Sequence, residues 1–557
     1  MRKAPKQEPT TVTRTSPACR LFLVVKSEKV CLRERSDAVA AGRGFLGSTL
    51  GIGAPARLYG PTQTTYTEYY VFAAEECTMS KCFQVLVVVL VVAAMTTKLP
   101  ATESWPQFRG INGSARSTSS EQLPDELSPS VNVIWKVKCP PGHSSPAIFG
   151  KTIYLTAVRD EQLLTLALDR DNGRVRWEAE APHEGLEEIH RIGSHAQATS
   201  ATDGGRVVSF FGSCGLFCYD TSGKLLWKRP MGPFNNGFGA AISPILVDDW
   251  VILCQDHDTD SFLMAIDKQT GKTVWTTDRS EFPRNFCTPV IAEVDGKKQI
   301  VVAGTLRVVG YDAATGKEIW TVRGIARAAC SSPGIAEDGT IYIASWAGGG
   351  EPGARIVVAP FAQEVALRDA NENGTLELNE LEEDGAIHRR FSQVDRDNTE
   401  TITRQEYEYF RGLFKDSRNV VVAINPGGKG DVTQSRVTWE FRKFVPFIAS
   451  PLYANGNVFL VKDGGILTSL DAKTGTPIKT KRLSATGAYY SSPVAGDGKV
   501  YLLNERGKLT VITDEGQWRV LSNADFGEDS YATPAIVDGK IYLRTTEHLY
   551  CFGLSGQ

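Results

Sequence analysis

A short pattern of apolar and polar positions recurs along the chain. In the stretch from Phe262 to Trp275, FLMAIDKQTGKTVW, an apolar run ends at Asp267, a glycine follows, and a tryptophan lies in the next apolar run. The Asp267 carboxylate can accept hydrogen bonds from backbone amides just after it, and Gly271 supplies the positive φ of a tight turn. The pattern predicts two antiparallel strands, the second carrying the large apolar face of an indole.

The same pattern occurs several more times. Three copies keep the tryptophan, at 166–177, 216–227 and 308–320, and degraded copies lie at 467–480 and 509–518. We interpret the repeated tryptophans as side chains that pack between neighbouring units. One hairpin repeated in this way predicts a ring of small sheets.

A second marker, Ser or Thr before Pro and an apolar strand, precedes the hairpins. Most markers lie 41 to 55 residues apart, which matches a four-stranded propeller blade. One gap of 118 residues, between Pro333 and Pro451, predicts an insertion of about 70 residues and leaves eight units. We assign Ser200-Ala201 to the one marker that lacks proline. The other markers are Ser145-Pro146, Ser243-Pro244, Thr288-Pro289, Ser332-Pro333, Ser450-Pro451, Ser492-Pro493 and Thr533-Pro534.

The last unit lacks its final strand and its tryptophan. Upstream of the first marker, the segment VNVIWKVK at 131–138 is a strand with a tryptophan and no hairpin of its own. We predict that this segment supplies the outer strand of the last blade, with Trp135 in the repeat position. Such closure removes the open edge of the array and joins the two ends of the chain.

These features resemble the PQQ-like (quinoprotein-type) β-propeller repeat family. The opening WPQFRG, at 105–110, and the hairpin phrase AIDKQTGKTVW are similar to its secreted planctomycete-type members, and the resemblance covers about 104–360 and 416–557. It implies an all-β fold, an eight-bladed β-propeller. The family includes PQQ-dependent dehydrogenases and also scaffolds without enzymatic activity, such as the outer-membrane assembly propeller. The resemblance therefore predicts the fold and leaves the function open.

The insertion at 361–415 has helical patterning and contains DANENGTLELNE, which resembles an EF-hand calcium loop. Gly374 stands at position 6, where the loop turns sharply, and Leu376 is the apolar residue that would pair with a partner loop. Calcium takes six to eight oxygen ligands, and the spacing supplies them. The predicted ligands are Asp369, Asn371, Asn373, Thr375, Glu377 and Glu380.

A second loop, DRDNTETITRQE, follows in the same register. It departs from the pattern at position 6, where Glu400 replaces glycine, and Thr399 is a poorer ligand than Asp or Asn. We predict that the two loops pair through Leu376 and Ile402 and that the second calcium site is weaker or empty. Its candidate ligands are Asp395, Asp397, Thr399, Thr401, Thr403 and Glu406.

The N-terminal region has no repeat. From Met79 the chain shows a short segment with Lys81, an apolar run from Phe83 to about Ala94, and then small and polar residues. This arrangement is typical of a secretory signal, and the run is too short for a comfortable membrane span. We interpret 1–78 as a disordered extension that lies upstream of the true translation start at Met79. The alternative is a genuine N-terminal tail with a membrane anchor.

Composition excludes some classes of function. With 42% apolar and 22% charged residues and a net charge of −3, the chain gives no reason to expect a nucleic-acid partner. The cysteines form no pair of CxxC motifs, so a zinc site is not expected. Cys214 and Cys218 are interpreted as buried thiols or a local disulfide rather than metal ligands.

Evidence for catalysis is sparse. The adjacent cysteines of many PQQ enzymes are missing, as are CxxCH and GxSxG motifs. His183, His190 and His195 lie in one long loop and could bind a transition metal or be solvated. The run DHDTD at 256–260 could hold a cation, and a polar hairpin tip is the interpretation we favour.

The sequence therefore favours a periplasmic or secreted binding or assembly scaffold with calcium in its insertion. The alternatives are a PQQ-dependent dehydrogenase, with PQQ possible but not favoured, and a carbohydrate-binding propeller. The partner, a protein or a polysaccharide, is not identified, and no stable membrane span is expected in the mature form. The predicted division of the chain is extension 1–78, signal peptide 79–103, propeller 104–360, insertion 361–415 and propeller 416–557.

Overall fold

The predicted hairpins form, and each belongs to a small antiparallel sheet. The computed structural model describes residues 103–351, 355–383, 385 and 387–554, and the predicted extension and signal peptide lie almost wholly outside them. Eight four-stranded sheets form the blades of an eight-bladed β-propeller. Alternate side chains of the two middle strands bury apolar faces against the neighbouring blades.

The first four blades follow one another without interruption. Blade 1 contains Ala147–Phe149, Thr152–Arg159, Gln162–Asp169 and Val175–Ala181. Blade 2 contains Ala201–Thr202, Arg206–Phe210, Leu216–Asp220 and Leu225–Arg229. Blade 3 contains Ile245–Val247, Trp250–Gln255, Phe262–Asp267 and Thr273–Asp278. Blade 4 contains Val290–Val294, Lys297–Ala303, Arg307–Asp312 and Glu318–Arg323, and Gly430–Asp431 adds a short fifth strand in parallel.

The other blades include the interrupted one and the closing one. Blade 5 contains Gly334–Ile335, Ile341–Ser345, Val420–Ile424 and Val437–Phe441. Blade 6 contains Leu452–Ala454, Asn457–Lys462, Ile466–Asp471 and Pro477–Arg482. Blade 7 contains Val494–Gly496, Lys499–Leu503, Lys508–Thr513 and Val520–Asp525. Blade 8 contains Ala535–Val537, Lys540–Arg544, His548–Phe552 and, from the other end of the propeller, Val133–Lys138.

The predicted closure of the ring is confirmed. Val133–Lys138 pairs antiparallel with His548–Phe552 as the outer strand of blade 8. A second link crosses the same boundary, because the buried Arg544 of blade 8 donates hydrogen bonds to the carbonyl oxygens of Pro140 and Thr156, each at 2.9 Å. The two ends of the propeller are thus joined by a strand pair and by a buried guanidinium.

The repeated tryptophans join each blade to the next one. Five indole N–H groups donate to a backbone carbonyl in the hairpin turn of the following blade, at 2.9–3.2 Å. A Cβ atom on the glycine of that turn would lie 2.4–2.8 Å from the indole, so only glycine fits there. The pairs are Trp135–Gly173, Trp177–Gly223, Trp227–Gly271, Trp275–Gly316 and Trp439–Gly475.

Two tryptophans depart from this rule. Trp320 donates to the Gln299 side chain of its own blade, at 2.7 Å, because blade 5 has no short hairpin turn to receive it. Trp518 is buried ahead of the last strand of blade 7, and the Lys479 ammonium of blade 6 lies 4.3 Å from its ring. Both indoles fill the core without the usual link.

The Ser and Thr markers form a closed circle of hydrogen bonds around the central axis. The backbone N–H of each marker donates to the marker hydroxyl of the next blade at 2.9–3.2 Å, and the N–H of Thr533 in blade 8 returns to the Ser145 hydroxyl in blade 1. We call these eight buried residues the hydroxyl ring: Ser145, Thr199, Ser243, Thr288, Ser332, Ser450, Ser492 and Thr533.

One of the eight marker assignments was wrong. Thr199, and not Ser200, contributes the hydroxyl of blade 2. Ser200 stands where the other blades have proline, and its side chain bonds instead to the Ser209 hydroxyl at 2.8 Å. The prediction failed because it aligned Ser200 with the Ser or Thr of the marker, whereas in this blade serine replaces the proline itself.

The segment before the first blade, residues 103–117, crosses the inner strands of the ring, and we call it the plug segment. Trp105 exchanges backbone hydrogen bonds with Ile148 of blade 1, and Ala115 and Ser117 bond to Ala495 of blade 7. The fully buried Arg109 donates to the carbonyl oxygens of two marker prolines, Pro333 at 2.9 Å and Pro451 at 2.6 Å. Burial lowers the Arg109 pKa to about 9.

A helical insertion interrupts blade 5. Its helices are α1 (Phe361–Arg368), α2 (Phe391–Val394) and α3 (Arg404–Asp416), with 3₁₀ turns at Leu378–Glu380 and His388–Arg390. Two short strands, Leu376–Glu377 and Thr401–Ile402, pair antiparallel, with Leu376 opposite Ile402 as predicted. None of the helices in the described residues is long and apolar enough to span a bilayer. A further α4 (Thr433–Arg436) belongs to blade 5 itself.

Replacing a hairpin glycine beneath an indole should destabilise the ring by more than the strain of its positive φ would explain. Gly271 and Gly296 have the same φ of +70°, but a Cβ at Gly271 would lie 2.8 Å from the Trp227 ring, whereas nothing lies within 4 Å at Gly296. We expect Gly296→Ala to cost about 1–2 kcal/mol of unfolding free energy, and Gly271→Ala about 1–3 kcal/mol more. Urea denaturation of both variants measures the difference, and equal losses would contradict the tryptophan–glycine link.

Candidate functional site

The centre of the propeller contains a cavity of about 280 Å³. All eight residues of the hydroxyl ring line it, and Phe108 of the plug segment forms part of its wall. Each hydroxyl oxygen accepts a backbone N–H, and within the described part of the chain no acceptor is bonded to the hydroxyl protons. The cavity thus has a floor of hydroxyl groups with protons free to donate.

A second set of eight residues stands two positions before each marker and also lines the cavity. Unlike the markers, these side chains differ from blade to blade, and we call them the variable ring. In blade order they are His143, Gln197, Ala241, Phe286, Cys330, Ile448, Tyr490 and Tyr531. The hydroxyl ring holds the blades together, and the variable ring gives the cavity its chemical character.

Polar members of the variable ring are neighbours. The His143 imidazole stacks on the Tyr531 ring at 4.1 Å, and Tyr490 lies 5.4 Å from the same ring. Burial, and secondarily the charge of Arg544, lowers the His143 pKa to about 4, so the imidazole is neutral near pH 7. Burial also raises the Cys330 pKa to about 12, which keeps this thiol protonated.

The long loop with three histidines covers one side of the cavity. Its residues Ile192 and Gly193 line the cavity together with Phe238. The loop is fixed against Phe238. The His190 ring packs 5.2 Å from the Phe238 ring, and the Gln197 side chain donates a hydrogen bond to the Phe238 carbonyl at 2.9 Å. The loop and Phe238 together form the cover on this side of the cavity.

The three histidines of this loop do not meet at one point. The His183 imidazole bonds to the Glu161 carbonyl at 3.0 Å, His190 packs on Phe238, and burial lowers the His195 pKa. No candidate metal cluster among the described residues includes any of them. His183 has a hydrogen-bond partner and His190 a ring partner in the protein, and His195 lies near enough to His183 for His183 to be a second cause, after burial, of its lowered pKa.

The run DHDTD is not a solvated hairpin tip, so the favoured interpretation of it was wrong. Asp256 is fully buried and forms a two-point ion pair with the equally buried Arg279, with both distances 2.7 Å. Asp258 pairs with Arg284, whose Nε lies 2.9 Å from a carboxylate oxygen. These carboxylates are neutralised by arginine, which leaves no reason to assign a cation to them.

In the insertion, the first twelve-residue loop is organised by its two end carboxylates. Asp369 accepts the backbone N–H of Asn373 at 3.1 Å and of Gly374 at 2.9 Å. Glu380 accepts the N–H of Ala370 at 2.8 Å and of Glu377 at 3.0 Å. Both asparagine side chains, at 371 and 373, turn their amide nitrogen to the Glu377 carboxylate.

The second loop has the same pattern of bonds. Asp395 accepts the N–H of Thr399 at 3.0 Å and of Glu400 at 2.9 Å, and Glu406 accepts the N–H of Arg396 at 2.8 Å and of Thr403 at 2.9 Å. Carboxylate oxygens of Asp395, Asp397 and Glu406 lie within 4.8 Å of one another. Glu400 adopts the left-handed φ of +65° that the glycine position requires.

The second loop also contacts the propeller. The Arg396 guanidinium lies over the Tyr409 ring at 4.6 Å and donates to the Ser280 carbonyl at the end of blade 3. The Tyr409 hydroxyl donates to the adjacent Glu281 carbonyl at 2.9 Å. The insertion is therefore fixed against the rim between blades 3 and 4, although its chain leaves from blade 5.

One further group could hold a metal. Oxygen and nitrogen atoms of Glu528, Glu547 and His548 lie within 4.8 Å of one another. The His548 imidazole already bonds to Glu528 at 2.8 Å, and the Lys136 ammonium lies 3.8 Å from the same carboxylate. Because a lysine charge occupies this site, we assign the group to the junction between blades 7 and 8.

Comparison with known families identifies the chain by its repeats. The model of the family described as outer membrane protein assembly factor BamB matches residues 129–237, 167–348 and 393–556. The chain belongs to this BamB family. The matched residues include strands from all eight blades, so the family assignment rests on the ring and not on the plug segment.

Solved structures of the same fold are similar to the chain at low sequence identity. BamB from Moraxella catarrhalis is 12% identical over 76% of this chain and 99% of its own, with a TM-score of 0.49. The computationally designed Ika8 protein is 9% identical over 76% of this chain and 100% of its own, with a TM-score of 0.46. A europium-containing methanol dehydrogenase is 12% identical over 74% of this chain and 89% of its own, with a TM-score of 0.38. No curated protein matches the chain.

The central cavity does not fit PQQ as the dehydrogenases would bind it. PQQ is a flat quinone with three carboxylates, and the resemblance to PQQ-dependent dehydrogenases implies a metal ion and an acidic base beside it at the ring centre. Among the described residues, the cavity lining contains no Asp, Glu, Lys or Arg side chain. The seven cysteines of the described residues are free thiols, including Cys214 and Cys218. Nothing in the lining could balance the charge of PQQ or hold its metal.

The variable ring is the part of the site that sequence reasoning missed. The sequence pattern identifies the markers but does not single out the residues two positions earlier. Because each marker sits at the same place in its blade, a fixed offset from it identifies the same position around the ring. That offset was the available signal for His143, Tyr490 and Tyr531.

Acid should destabilise the folded protein through the buried histidine of the variable ring. The folded pKa of His143 is lowered to about 4 from the ordinary histidine value of 6.5, so between these values the unfolded chain binds a proton that the folded protein does not. Stability is therefore full above pH 6.5 and falls as the pH drops toward 4. His257, with a pKa lowered to about 3, acts in the same direction.

We expect His143→Gln to flatten the decline between pH 6 and 5 by up to about 1.4 kcal/mol per pH unit. Glutamine already occupies the same ring position in blade 2, at Gln197, so the substitution should be accommodated. Urea unfolding at a series of pH values measures the slope. An unchanged slope would mean that the folded protein protonates His143 over this range.

Proposed function

We propose that the protein is an exported propeller that acts as a binding or assembly scaffold in the cell envelope, with calcium bound by its insertion. The observation that carries the proposal is the uncharged central cavity, at the place where the related dehydrogenases would hold PQQ. Without charged groups for that chemistry at its centre, the ring would bind its partner through its rims and faces. We place its partner among proteins, since the family description names an assembly factor.

Export is part of the same proposal. The signal-like segment that begins at Met79 supports it, and the family description refers to the outer membrane. A periplasmic or secreted location also supplies millimolar to micromolar calcium more readily than a cytosol does. We infer that the propeller folds and works outside the cytoplasm.

For the insertion, we propose that the two twelve-residue loops form a pair of EF-hands, with calcium in the first loop and a weaker or empty site in the second. Support comes from the repeated bonding of the two end carboxylates and from the Leu376–Ile402 strand pair between the loops. In the first loop, rotation of the amides at 371 and 373 would present oxygen in place of nitrogen to a cation. Glycine at position 6 favours the first loop, whereas Glu400 must hold a left-handed φ in the second.

We further propose that calcium orders the insertion on the rim rather than switching the ring. The contact of Arg396 with Ser280 and of Tyr409 with Glu281 supports this role, because Arg396 lies between two proposed ligands and Tyr409 lies on α3, directly after the second loop. The folded insertion would give the scaffold one additional surface beside blades 3 and 4.

The scaffold proposal predicts that PQQ is not a cofactor of this protein. Purified protein incubated with PQQ and calcium and then dialysed should retain no quinone absorbance, because no lining group balances the carboxylates. Dye-linked assays with alcohols and sugars should show no turnover. Robust oxidation of either substrate class would replace the scaffold proposal with that of a quinoprotein dehydrogenase.

The calcium proposal predicts unequal effects of two matched substitutions. In the full chain, Glu380→Gln should weaken the tighter binding event by at least about tenfold, since it removes one carboxylate oxygen from a bidentate ligand. Glu406→Gln should change that event little and affect only the weaker one. Calorimetric titration of chelator-treated protein with calcium measures both. Equal losses at the two positions would contradict the ranking, and no binding in the wild type would overturn the proposal.

A further inference from the structure

The lining of the central cavity is partly polar and, within the described part of the chain, uncharged. It contains donors and acceptors of hydrogen bonds but, among the described residues, no charged side chain. Two charged groups near the lining have protein partners: Arg544 bonds to the carbonyl oxygens of Pro140 and Thr156, and Arg284 pairs with Asp258. Burial, and secondarily the Glu505 and Asp463 carboxylates, raises the Tyr490 pKa, although neither carboxylate lines the cavity. A ligand inside would therefore meet neutral groups only.

One half of the variable ring is polar. Tyr490, Tyr531, His143 and Gln197 come from blades 7, 8, 1 and 2, which are consecutive around the closed ring. The stacked pair of His143 and Tyr531, at 4.1 Å, places a neutral imidazole beside a phenol. Neither tyrosine hydroxyl has a hydrogen bond to another described residue, so both remain available to a ligand.

The other half is apolar. Ala241, Phe286, Cys330 and Ile448 come from blades 3, 4, 5 and 6, which are also consecutive. The Phe286 ring is packed edge-on against Phe238 of the cover, at 6.3 Å, which fixes its orientation. The cavity thus has an apolar wall facing a polar wall, above a floor of hydroxyl donors.

We propose that this cavity binds a neutral, flat, amphipathic small molecule. Its apolar face would lie against Phe286 and Ile448, and its hydroxyl or carbonyl group would bond to the polar wall or to the hydroxyl ring. The volume of about 280 Å³ lies at the small end of ligand pockets, which span about 300–1,000 Å³, and so suits a compact bicyclic body rather than a large cofactor. The site is distinct from the partner surfaces and the calcium loops of the scaffold.

Neutrality is the property that separates this ligand from PQQ. An anionic ligand would exchange its hydration for a lining without a cation, and this transfer is unfavourable. A purely apolar ligand would leave the hydroxyl floor and both tyrosines without partners, which is also unfavourable. A ligand with one hydrogen-bonding group on an aromatic body satisfies both walls.

Three naphthalene probes test the proposal with the full-length folded protein. 2-Naphthol carries one hydroxyl, naphthalene carries none, and 2-naphthoate is an anion of similar size. We expect saturable 1:1 binding of 2-naphthol by fluorescence titration near pH 7, with naphthalene about five- to tenfold weaker and 2-naphthoate at least tenfold weaker. Failure of 2-naphthol to saturate, or equal binding of the anion, would overturn the proposal.

Substitutions locate the binding in the cavity. Ala241→Phe fills the apolar wall and should abolish 2-naphthol binding, whereas Ala314→Phe, at an exposed hairpin tip of blade 4, should leave it unchanged. Tyr531→Phe keeps the ring stacked on His143 and should reduce the preference for 2-naphthol over naphthalene toward one. Thermal melting of each variant checks folding. Undiminished binding to folded Ala241→Phe would place the probe elsewhere and refute the assignment.

Discussion

The hydroxyl ring is the constraint on which the rest of the structure depends. Each blade buries a backbone N–H that only the next blade can satisfy, and the circle is complete because Thr533 reaches Ser145. A buried amide without an acceptor costs about 1–3 kcal/mol, so each missing link weakens the whole circle. The pairing of Val133–Lys138 with the last strand and the Arg544 bonds to Pro140 and Thr156 join the start of the propeller to its last hairpin, which the chain does not link covalently.

In each of these turns, one residue bonds neighbouring blades together and a different residue lines the cavity. The marker hydroxyls accept the bonds between blades, and the side chains two residues earlier face the cavity without taking part in those bonds. The insertion is carried by the same framework, since its return to blade 5 passes through the buried Ser417 and Asn419 and its second loop touches the rim at Ser280 and Glu281. The central cavity and the insertion are therefore separate surfaces that one framework supports.

The fold could be predicted because its signals are local. The turn glycine and the tryptophan lie within one hairpin, and the missing last strand has a matching unpaired strand at 131–138. The burial of Asp256 could not be predicted in the same way, because its ion-pair partner Arg279 lies 23 residues later in the chain. The path of the plug segment was also hidden, since its backbone and side-chain bonds reach groups of distant blades that no local pattern connects to it. The variable ring required knowing which end of each inner strand faces the axis.

The shared last blade sets when this molecule can finish folding. The Arg544 contact with Pro140 joins groups 404 residues apart, so the closing contacts are among the slowest to form by chain diffusion. Until its final hairpin is synthesised, the polypeptide remains an open arc with an unpaired edge at each end. Removing the last strand, His548–Phe552, would therefore leave Val133–Lys138 without its partner and keep the ring open.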